Sequence, residues 1–218
     1  MLMKALIITG GGCPSSGIIR SLSQGAGLVI AADSGLQPCL SADLDPDYVI
    51  GDFDSVETAL LAKIPEERTM QYPEDKDYTD TELAIDLARK KGADRIVLAG
   101  GGAGRLDHLL AVRALFERTE PIHEWHTGAE SAFLLPAGEK LKFSSSIGTV
   151  VSVFPLSKGA EGMSSEGLKW PLDGLRWDCG DFGVSNKTIA PNAAISSGRN
   201  PILVILPLGI QALISSAS

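Results

Sequence analysis

The sequence VIGDFDS at Val49–Ser55 joins a short apolar run to two carboxylates that stand two positions apart. The apolar run predicts a buried strand of a parallel sheet. Side chains two apart in an extended chain point to the same side, so we expect Asp52 and Asp54 to project together at the strand's carboxyl end. Two carboxylates held this close repel each other, which raises the pKa of one of them or attracts a cation. Among cations, Mg²⁺ prefers oxygen ligands. A simpler interpretation is that one of them only caps a helix beginning near Ser55.

Three further apolar runs end in polar or glycine-rich turns. Lys4–Ile8 precedes a glycine turn, Leu28–Ala32 precedes Asp33, and Arg95–Ala99 precedes Gly100–Gly104. With helical segments between them, these runs predict βαβ units around a parallel sheet. Ligands of such sheets bind outside the carboxyl ends of the strands, which is where the polar clusters of this chain fall.

The most charged part of the chain lies just before a predicted helix. Thr79 and Glu82 have the spacing of a capping box, so we expect the helix to begin there. Lys76, Asp77 and Asp80 surround this helix start. A favourable interaction with the helix dipole would account for Asp80 but leaves the charge before it unexplained.

Arg105 and Asp107 follow the glycine-rich turn that ends the strand Arg95–Ala99. Apolar periodicity predicts a helix from about residue 107 to residue 118. Asp107 is then either no more than the N-cap of that helix or a member of a ligand site. Arg105 is placed to bind a phosphate, because a guanidinium beside a helix start matches phosphate oxygens in charge and geometry.

The pattern changes after Pro121, where short apolar runs alternate with turn residues and helical periodicity is absent. We therefore predict an α/β domain with a parallel, Rossmann-like sheet at residues 1–126, and an all-β domain of two packed sheets at residues 127–218. Trp170 is expected in a core or an interface, and Ser185-Asn186 in a turn.

The composition excludes several classes of partner. The formal net charge of −8 argues against nucleic acid or an anionic membrane surface, which both favour clustered Lys and Arg. Residues 201–214 are apolar, but Pro207, Gly209 and Gln211 interrupt them, so we expect a buried strand and a tail with no membrane span. Three scattered cysteines are typical of reduced thiols in a cytoplasmic protein.

Taken in chain order, six motifs resemble those of the thiamine pyrophosphokinase family and span most of the chain. They are Ala32–Gly35, Gly51–Ser55, Lys76–Ala84, Gly104–His108, Gly167–Trp170 and Ser185-Asn186. The resemblance implies an α/β domain followed by a β-sandwich. It also implies transfer of the terminal pyrophosphate of ATP to the hydroxyl of thiamine with release of AMP. Finally, it implies a homodimer whose active site combines the first domain of one subunit with the second domain of the other.

The resemblance also assigns roles to individual residues. It implies Mg²⁺ ligands at Asp52, Asp54 and Asp80. A second group belongs to the nucleotide-phosphate site and comprises Asp33, Asp77, Arg105 and Asp107, with Lys76 as an additional positive charge. Trp170 would form an aromatic wall for thiamine, and Ser185 and Asn186 would contact the thiamine ring. The sequence departs from the family pattern at Ala103, where a further glycine is common.

Two other functions fit parts of the sequence. A dinucleotide-dependent oxidoreductase could use the same type of sheet, but Gly10–Gly12 does not have the G-x-G-x-x-G spacing. A nucleotide- or thiamine-binding regulatory module would not need the metal-binding carboxylates. For the pyrophosphoryl transfer itself, a general base is open among Asp77, Asp80 and Asp107.

Overall fold

The computed structural model describes residues 2–216, and the chain divides into two compact units. The first unit runs to Leu115 and includes Glu120–Ala129, and the second consists of Phe116–Thr119 and the chain from Glu130 onward. An α/β unit is thus followed by an all-β unit, which is the fold class that the sequence predicts. The predicted boundary between residues 126 and 127 remains a proposal.

A parallel sheet forms the centre of the first unit. Its strands in the described part of the chain are β1 (Lys4–Thr9), β2 (Ala26–Ala32), β3 (Tyr48–Gly51), β4 (Thr69–Gln71), β5 (Arg95–Ala99) and β6 (Glu124–His126). They are arranged in the order β4-β3-β2-β1-β5-β6, and every neighbouring pair is parallel. The strand order reverses beside β1, which is the place where sheets of this class bind ligands at their carboxyl ends.

Short helices connect these strands. They are α1 (Ser16–Ser23), α2 (Leu36–Ser41), α3 (Thr58–Leu61), α4 (Asp80–Lys90) and α5 (Leu106–Ala114), with 3-10 turns at Asp33–Gly35, Glu66–Arg68 and Leu115–Glu117. The predicted capping box of α4 is confirmed, since the Thr79 hydroxyl accepts from the Glu82 N–H and the Glu82 carboxylate accepts from the Thr79 N–H. No helix within residues 2–216 is both long enough and apolar enough to cross a membrane.

Two helix predictions need correction. The helix expected to begin near Ser55 starts at Thr58 and has only the four residues of α3, because the chain enters a turn before Pro65. The helix predicted from residue 107 begins one residue earlier, and the N-cap position belongs to Arg105, so Asp107 is not the N-cap.

Apolar faces of the strands and helices close the core of the first unit. Leu6 and Ile8 of β1 are fully buried against Ile19 of α1 and Leu36 of α2. The strands are apolar on both faces, as expected for a parallel sheet that is covered on both sides. Because these apolar residues are buried in the core, the polar side chains at the strand ends are the main groups of the unit that are available for chemistry.

The second unit contains two antiparallel sheets. In the described chain, the strands β7 (Glu130–Leu135), β9 (Val150–Pro155), β13 (Gly183–Lys187) and β15 (Ile202–Pro207) pair in the order β13-β9-β15-β7. The strands β8 (Glu139–Ser144), β11 (Ser164–Glu166), β14 (Asn192–Ser196) and β16 (Ala212–Ser216) pair in the order β11-β14-β8-β16. The short strands β10 (Ala160–Glu161) and β12 (Arg176–Trp177) form a ribbon.

The two antiparallel sheets share one hydrophobic core. Leu135, Val153 and Val204 of the first sheet join Leu141 and Ile195 of the second sheet in a single buried cluster. The predicted sandwich is therefore present. The tail expected after the strand at Ile202 is wrong, because the chain turns at residues 208–211 and returns as β16 against β8.

Candidate active site

Three carboxylates meet at the carboxyl ends of β2 and β3. Asp33 follows β2, Asp52 and Asp54 follow β3, and one carboxylate oxygen from each lies within 4.8 Å of the others. Oδ1 of Asp33 is buried and has no hydrogen-bond partner among residues 2–216. Asp33 and Phe53 also adopt positive φ angles of 48° and 67°, which are uncommon outside glycine and recur at functional sites.

The contacts around these carboxylates fit a cation site. Ser55 donates its hydroxyl to Oδ2 of Asp33, and the Asp54 N–H donates to Oδ1 of Asp52 at 3.2 Å. The simpler interpretation as a helix cap is wrong, because the N-cap of α3 is Glu57 and has no side-chain cap. Oxygen donors that include a buried, unpartnered carboxylate oxygen are the ligand set of a hard divalent ion such as Mg²⁺. The residues present therefore fit that ion.

Lys76 and Asp80 extend this cluster. Nζ of Lys76 lies 2.8 Å from Oδ2 of Asp52 and 3.2 Å from Oδ1 of Asp80, and only 13% of the Lys76 side chain is exposed. The hydrogen bond from Lys76 lowers the pKa of Asp52. Burial raises the pKa of Asp80, although its pair with Lys76 opposes the rise. Burial also disfavours the charge of Lys76, but the two carboxylates outweigh it and raise the Lys76 pKa.

Arg105 and Asp107 lie after β5, on the other side of β1. Their side chains form a two-point ion pair, with Nε to Oδ1 at 3.1 Å and Nη2 to Oδ2 at 2.6 Å. Arg105 lowers the pKa of Asp107 through this hydrogen bond, and both side chains are exposed. Asp77 is exposed as well, before α4. A guanidinium held only by an exposed carboxylate can exchange that partner for a phosphate.

A hydrogen bond from Trp125 holds the glycine-rich turn that carries Arg105. The indole Nε1 of Trp125 donates to the Gly100 carbonyl at 2.7 Å, and Gly100 has a φ of 106° that favours glycine. Ala103 has no positive φ, and its methyl group faces the backbone of Gly12, where a Cβ would lie only 2.9 Å away. Ala103 is thus compatible with the turn because Gly12, which faces its methyl group, has no side chain.

In the second unit, Asn186 holds the backbone of Trp170. Its amide donates to the Trp170 carbonyl at 2.7 Å and accepts from the Trp170 N–H at 3.2 Å, while Asn186 itself is 7% exposed. The Trp170 side chain is 52% exposed, and Nζ of Lys169 lies 4.6 Å from the centre of its ring. Ser185 and Asn186 lie in strand β13, so the expected turn is wrong, and the φ of 60° at Ser185 falls at an irregularity in the pairing of β13 with β9. The exposed indole is the side chain available to a ligand.

Family models match both units. The model of the thiamin pyrophosphokinase catalytic domain matches residues 19–122, and the model of the thiamin pyrophosphokinase vitamin B1 binding domain matches residues 139–202. Together they cover more than half of the chain. The chain belongs to the thiamin pyrophosphokinase family. The resemblance read from the sequence motifs is confirmed, and a dinucleotide-dependent oxidoreductase is not favoured.

Individual relatives agree with this assignment. The chain is 27% identical over 184 residues to the thiamine pyrophosphokinase of Bacillus subtilis (strain 168), a match that covers 82% of this chain and 86% of the relative. A crystal structure of thiamine pyrophosphokinase from Bacillus subtilis superposes with a TM-score of 0.79 at 24% identity, covering 94% of this chain and 98% of that one. A thiamin pyrophosphokinase family protein from Enterococcus faecalis gives 0.75 at 25% identity, covering 94% and 98%. The likeness at 24% identity supports the fold alone.

Sequence reasoning found most members of the carboxylate cluster but missed several supporting contacts. The contact of Ser55 with Asp33 was missed although Ser55 lies in the Gly51–Ser55 motif, and Trp125, which binds the glycine-rich turn, lies in no motif. Asp33, which the resemblance implies for the nucleotide-phosphate site, lies beside Asp52 and Asp54, because the pairing of β2 with β3 brings the ends of these strands together.

Replacing Asn186 tests its hold on Trp170. Asn186→Ala leaves the N–H and carbonyl of Trp170 without their partner, so we expect the free energy of unfolding to fall by about 1–3 kcal/mol in urea denaturation. Asn192→Ala is the matched control, since the Asn192 side chain accepts an exposed hydrogen bond from Ser144. Equal, small effects of the two substitutions would show that the contact with Trp170 contributes little.

Proposed function

We propose that this chain transfers the pyrophosphoryl group of ATP to the hydroxyl group of thiamine, giving thiamine diphosphate and AMP. The observation that carries the proposal is the match of both units to thiamin pyrophosphokinase models, one catalytic and one for vitamin B1 binding. The polar residues at the carboxyl edge of the parallel sheet supply chemistry that suits this reaction.

The reaction requires an alcohol oxygen in line with the β-phosphorus of ATP. The hydroxyl oxygen forms the new bond to that phosphorus, the bond from the β-phosphorus to the α-phosphate oxygen breaks, and AMP leaves with that oxygen. Catalysis of such a transfer depends on positioning and on neutralising phosphate charge. The residues at the edge of the sheet can serve both needs.

We assign Asp33, Asp52 and Asp54 as the ligands of the Mg²⁺ ion that the family resemblance implies. Bound there, the ion would neutralise phosphate charge and let an acidic pocket accept an anionic nucleotide. Asp80 was expected as a third ligand with Asp52 and Asp54, and its carboxylate contacts Lys76 in the structure. We therefore propose that Asp80 supports the ion site through Lys76.

Arg105 is proposed to bind the phosphates of ATP. The ion pair between Arg105 and Asp107 is exposed and therefore weak. A guanidinium matches a phosphate as well as a carboxylate, so Arg105 can exchange Asp107 for phosphate oxygens. Asp77 and Asp107 stay in the proposed phosphate site, and the proton acceptor for the thiamine hydroxyl is still to be chosen among Asp77, Asp80 and Asp107. The pair with Arg105 lowers the pKa of Asp107, so Asp107 becomes a stronger base once Arg105 has moved to the phosphates.

We propose that Trp170 forms the aromatic wall of the thiamine site. Its indole is half exposed, and an aromatic face attracts a cationic ring such as the thiazolium of thiamine. Ser185 is the neighbouring candidate for a direct contact. Asn186 is proposed to act mainly by fixing the backbone of Trp170, because its amide already binds that backbone at both ends.

We also propose that the protein is a cytoplasmic homodimer. Cys13, Cys39 and Cys179 are all free thiols, which suits a reducing compartment. The family resemblance implies that each active site combines the first unit of one subunit with the second unit of the other.

The direct test is to incubate the protein with ATP, Mg²⁺ and thiamine and to identify the products by chromatography. We expect AMP and thiamine diphosphate from the wild type. Asp54→Asn should reduce turnover by roughly a hundredfold or more without lowering the melting temperature, because it removes a charged ligand from an exposed position. Asp86→Asn, an exposed change on α4, is the matched control and should leave turnover unchanged. Formation of ADP and thiamine monophosphate, or near wild-type turnover of Asp54→Asn, would contradict the proposal.

The composite site predicts complementation between two inactive variants. Asp54→Asn damages the first unit and Trp170→Ala damages the second, so a mixed dimer would keep one site free of both changes. After full subunit exchange, half of the dimers are mixed and activity should recover to about a quarter of the wild-type level. Activity that stays at the level of the separate variants, despite exchange shown by differently tagged subunits, would refute the shared site.

A further inference from the structure

The ammonium group of Lys76 lies among the carboxylates, where a cation is needed. Its Nζ atom contacts Oδ2 of Asp52 at 2.8 Å, Oδ1 of Asp80 at 3.2 Å and the carbonyl of Pro73 at 3.1 Å. The side chains of Lys76 and Asp52 are 13% and 16% exposed, because they pack against each other near the surface. Lys76 therefore serves as a counter-ion of Asp52 and Asp80.

Lys76 and a divalent ion draw on the same oxygen atoms. Oδ1 of Asp52 already accepts the Asp54 N–H, and Oδ2 accepts Lys76, so both Asp52 oxygens have partners. An ion that binds Oδ2 shares this oxygen with Nζ of Lys76 and is repelled by the nearby positive charge, which weakens its binding. An ion that recruits Oδ1 meets the positive charge of Lys76 on the other side of the same carboxylate, which also weakens its binding.

We propose that Lys76 is a built-in competitor of the divalent cation, and that it moves from Asp52 and Asp80 to the phosphate groups when nucleotide and metal bind together. This inference rests on the proposed function, because the phosphates are those of ATP. The exchange makes metal binding depend on nucleotide: the free protein holds the metal weakly, and the phosphates remove the competitor. By linkage, metal and nucleotide then strengthen each other's binding.

The local backbone permits this movement. Lys76 lies in the segment between the end of β4 at Gln71 and the start of α4 at Asp80, which contains no helix or strand. Its contacts to Asp52, Asp80 and the Pro73 carbonyl are made by the end of a long, flexible side chain. Reorienting that side chain breaks no sheet or helix hydrogen bond.

The test measures Mn²⁺ affinity of the nucleotide-free protein by isothermal titration calorimetry. Lys76→Met removes the competing charge and should bind Mn²⁺ roughly tenfold tighter, or more, than the wild type. Lys76→Arg keeps the charge and should bind as weakly as the wild type. Lys90→Met, at the opposite end of α4 from Asp80, is the matched control and should not change the affinity.

Equal or weaker Mn²⁺ binding by folded Lys76→Met would overturn the proposal, since it would make Lys76 an organiser of the site and not a competitor. If that variant fails to fold, Lys76→Gln carries the same expectation, because it keeps a hydrogen-bond donor without the charge. Thermal denaturation gives a second readout. The melting temperature of the neutral variants should rise more on addition of Mn²⁺ than that of the wild type, and an equal rise would contradict the competition. These measurements use neither ATP nor thiamine, so a failed product assay would leave their outcome intact.

Discussion

The mutual repulsion of carboxylates at one edge of the parallel sheet is the constraint on which the site depends. The sheet places Asp33 beside Asp52 and Asp54, and α4 directs Asp80 toward the same region. Like charges this close need a cation or a proton. Lys76 meets part of that need, and the buried Oδ1 of Asp33, which has no hydrogen-bond partner among the described residues, shows that part remains. This charge imbalance supports the divalent-ion site that we propose.

Much of the first unit could be predicted from sequence because its signals are local. The apolar runs of β1, β2, β3 and β5 and the capping box of α4 each depend on a few neighbouring residues. The shortness of α3 and the pairing of β16 with β8 could not be predicted in this way. Strand β16 is stabilised by pairing with β8, about seventy residues earlier in the chain, whereas its own sequence predicts a tail.

In the candidate site, too, some features could be predicted from sequence and others depend on contacts between distant residues. The rule that ligands bind at the carboxyl ends of parallel strands brought together Asp33, Asp52 and Asp54, because it depends on topology alone. The partners of individual side chains depend on rotamers and burial, so sequence did not reveal that Lys76 pairs with Asp52 and Asp80. The hold of Asn186 on Trp170 was missed for the same reason, since it joins residues sixteen positions apart. Sequence thus identified the chemistry of the site more fully than its contacts.

The most direct test of the cation site is anomalous diffraction from crystals grown with Mn²⁺ and α,β-methylene-ATP, an analogue that cannot undergo the transfer. We expect an anomalous peak coordinated by carboxylate oxygens of Asp33, Asp52 and Asp54, with Nζ of Lys76 turned from Asp52 to a phosphate oxygen. A peak bound elsewhere, or Mn²⁺ held by the analogue with no carboxylate of this cluster as a ligand, would contradict it.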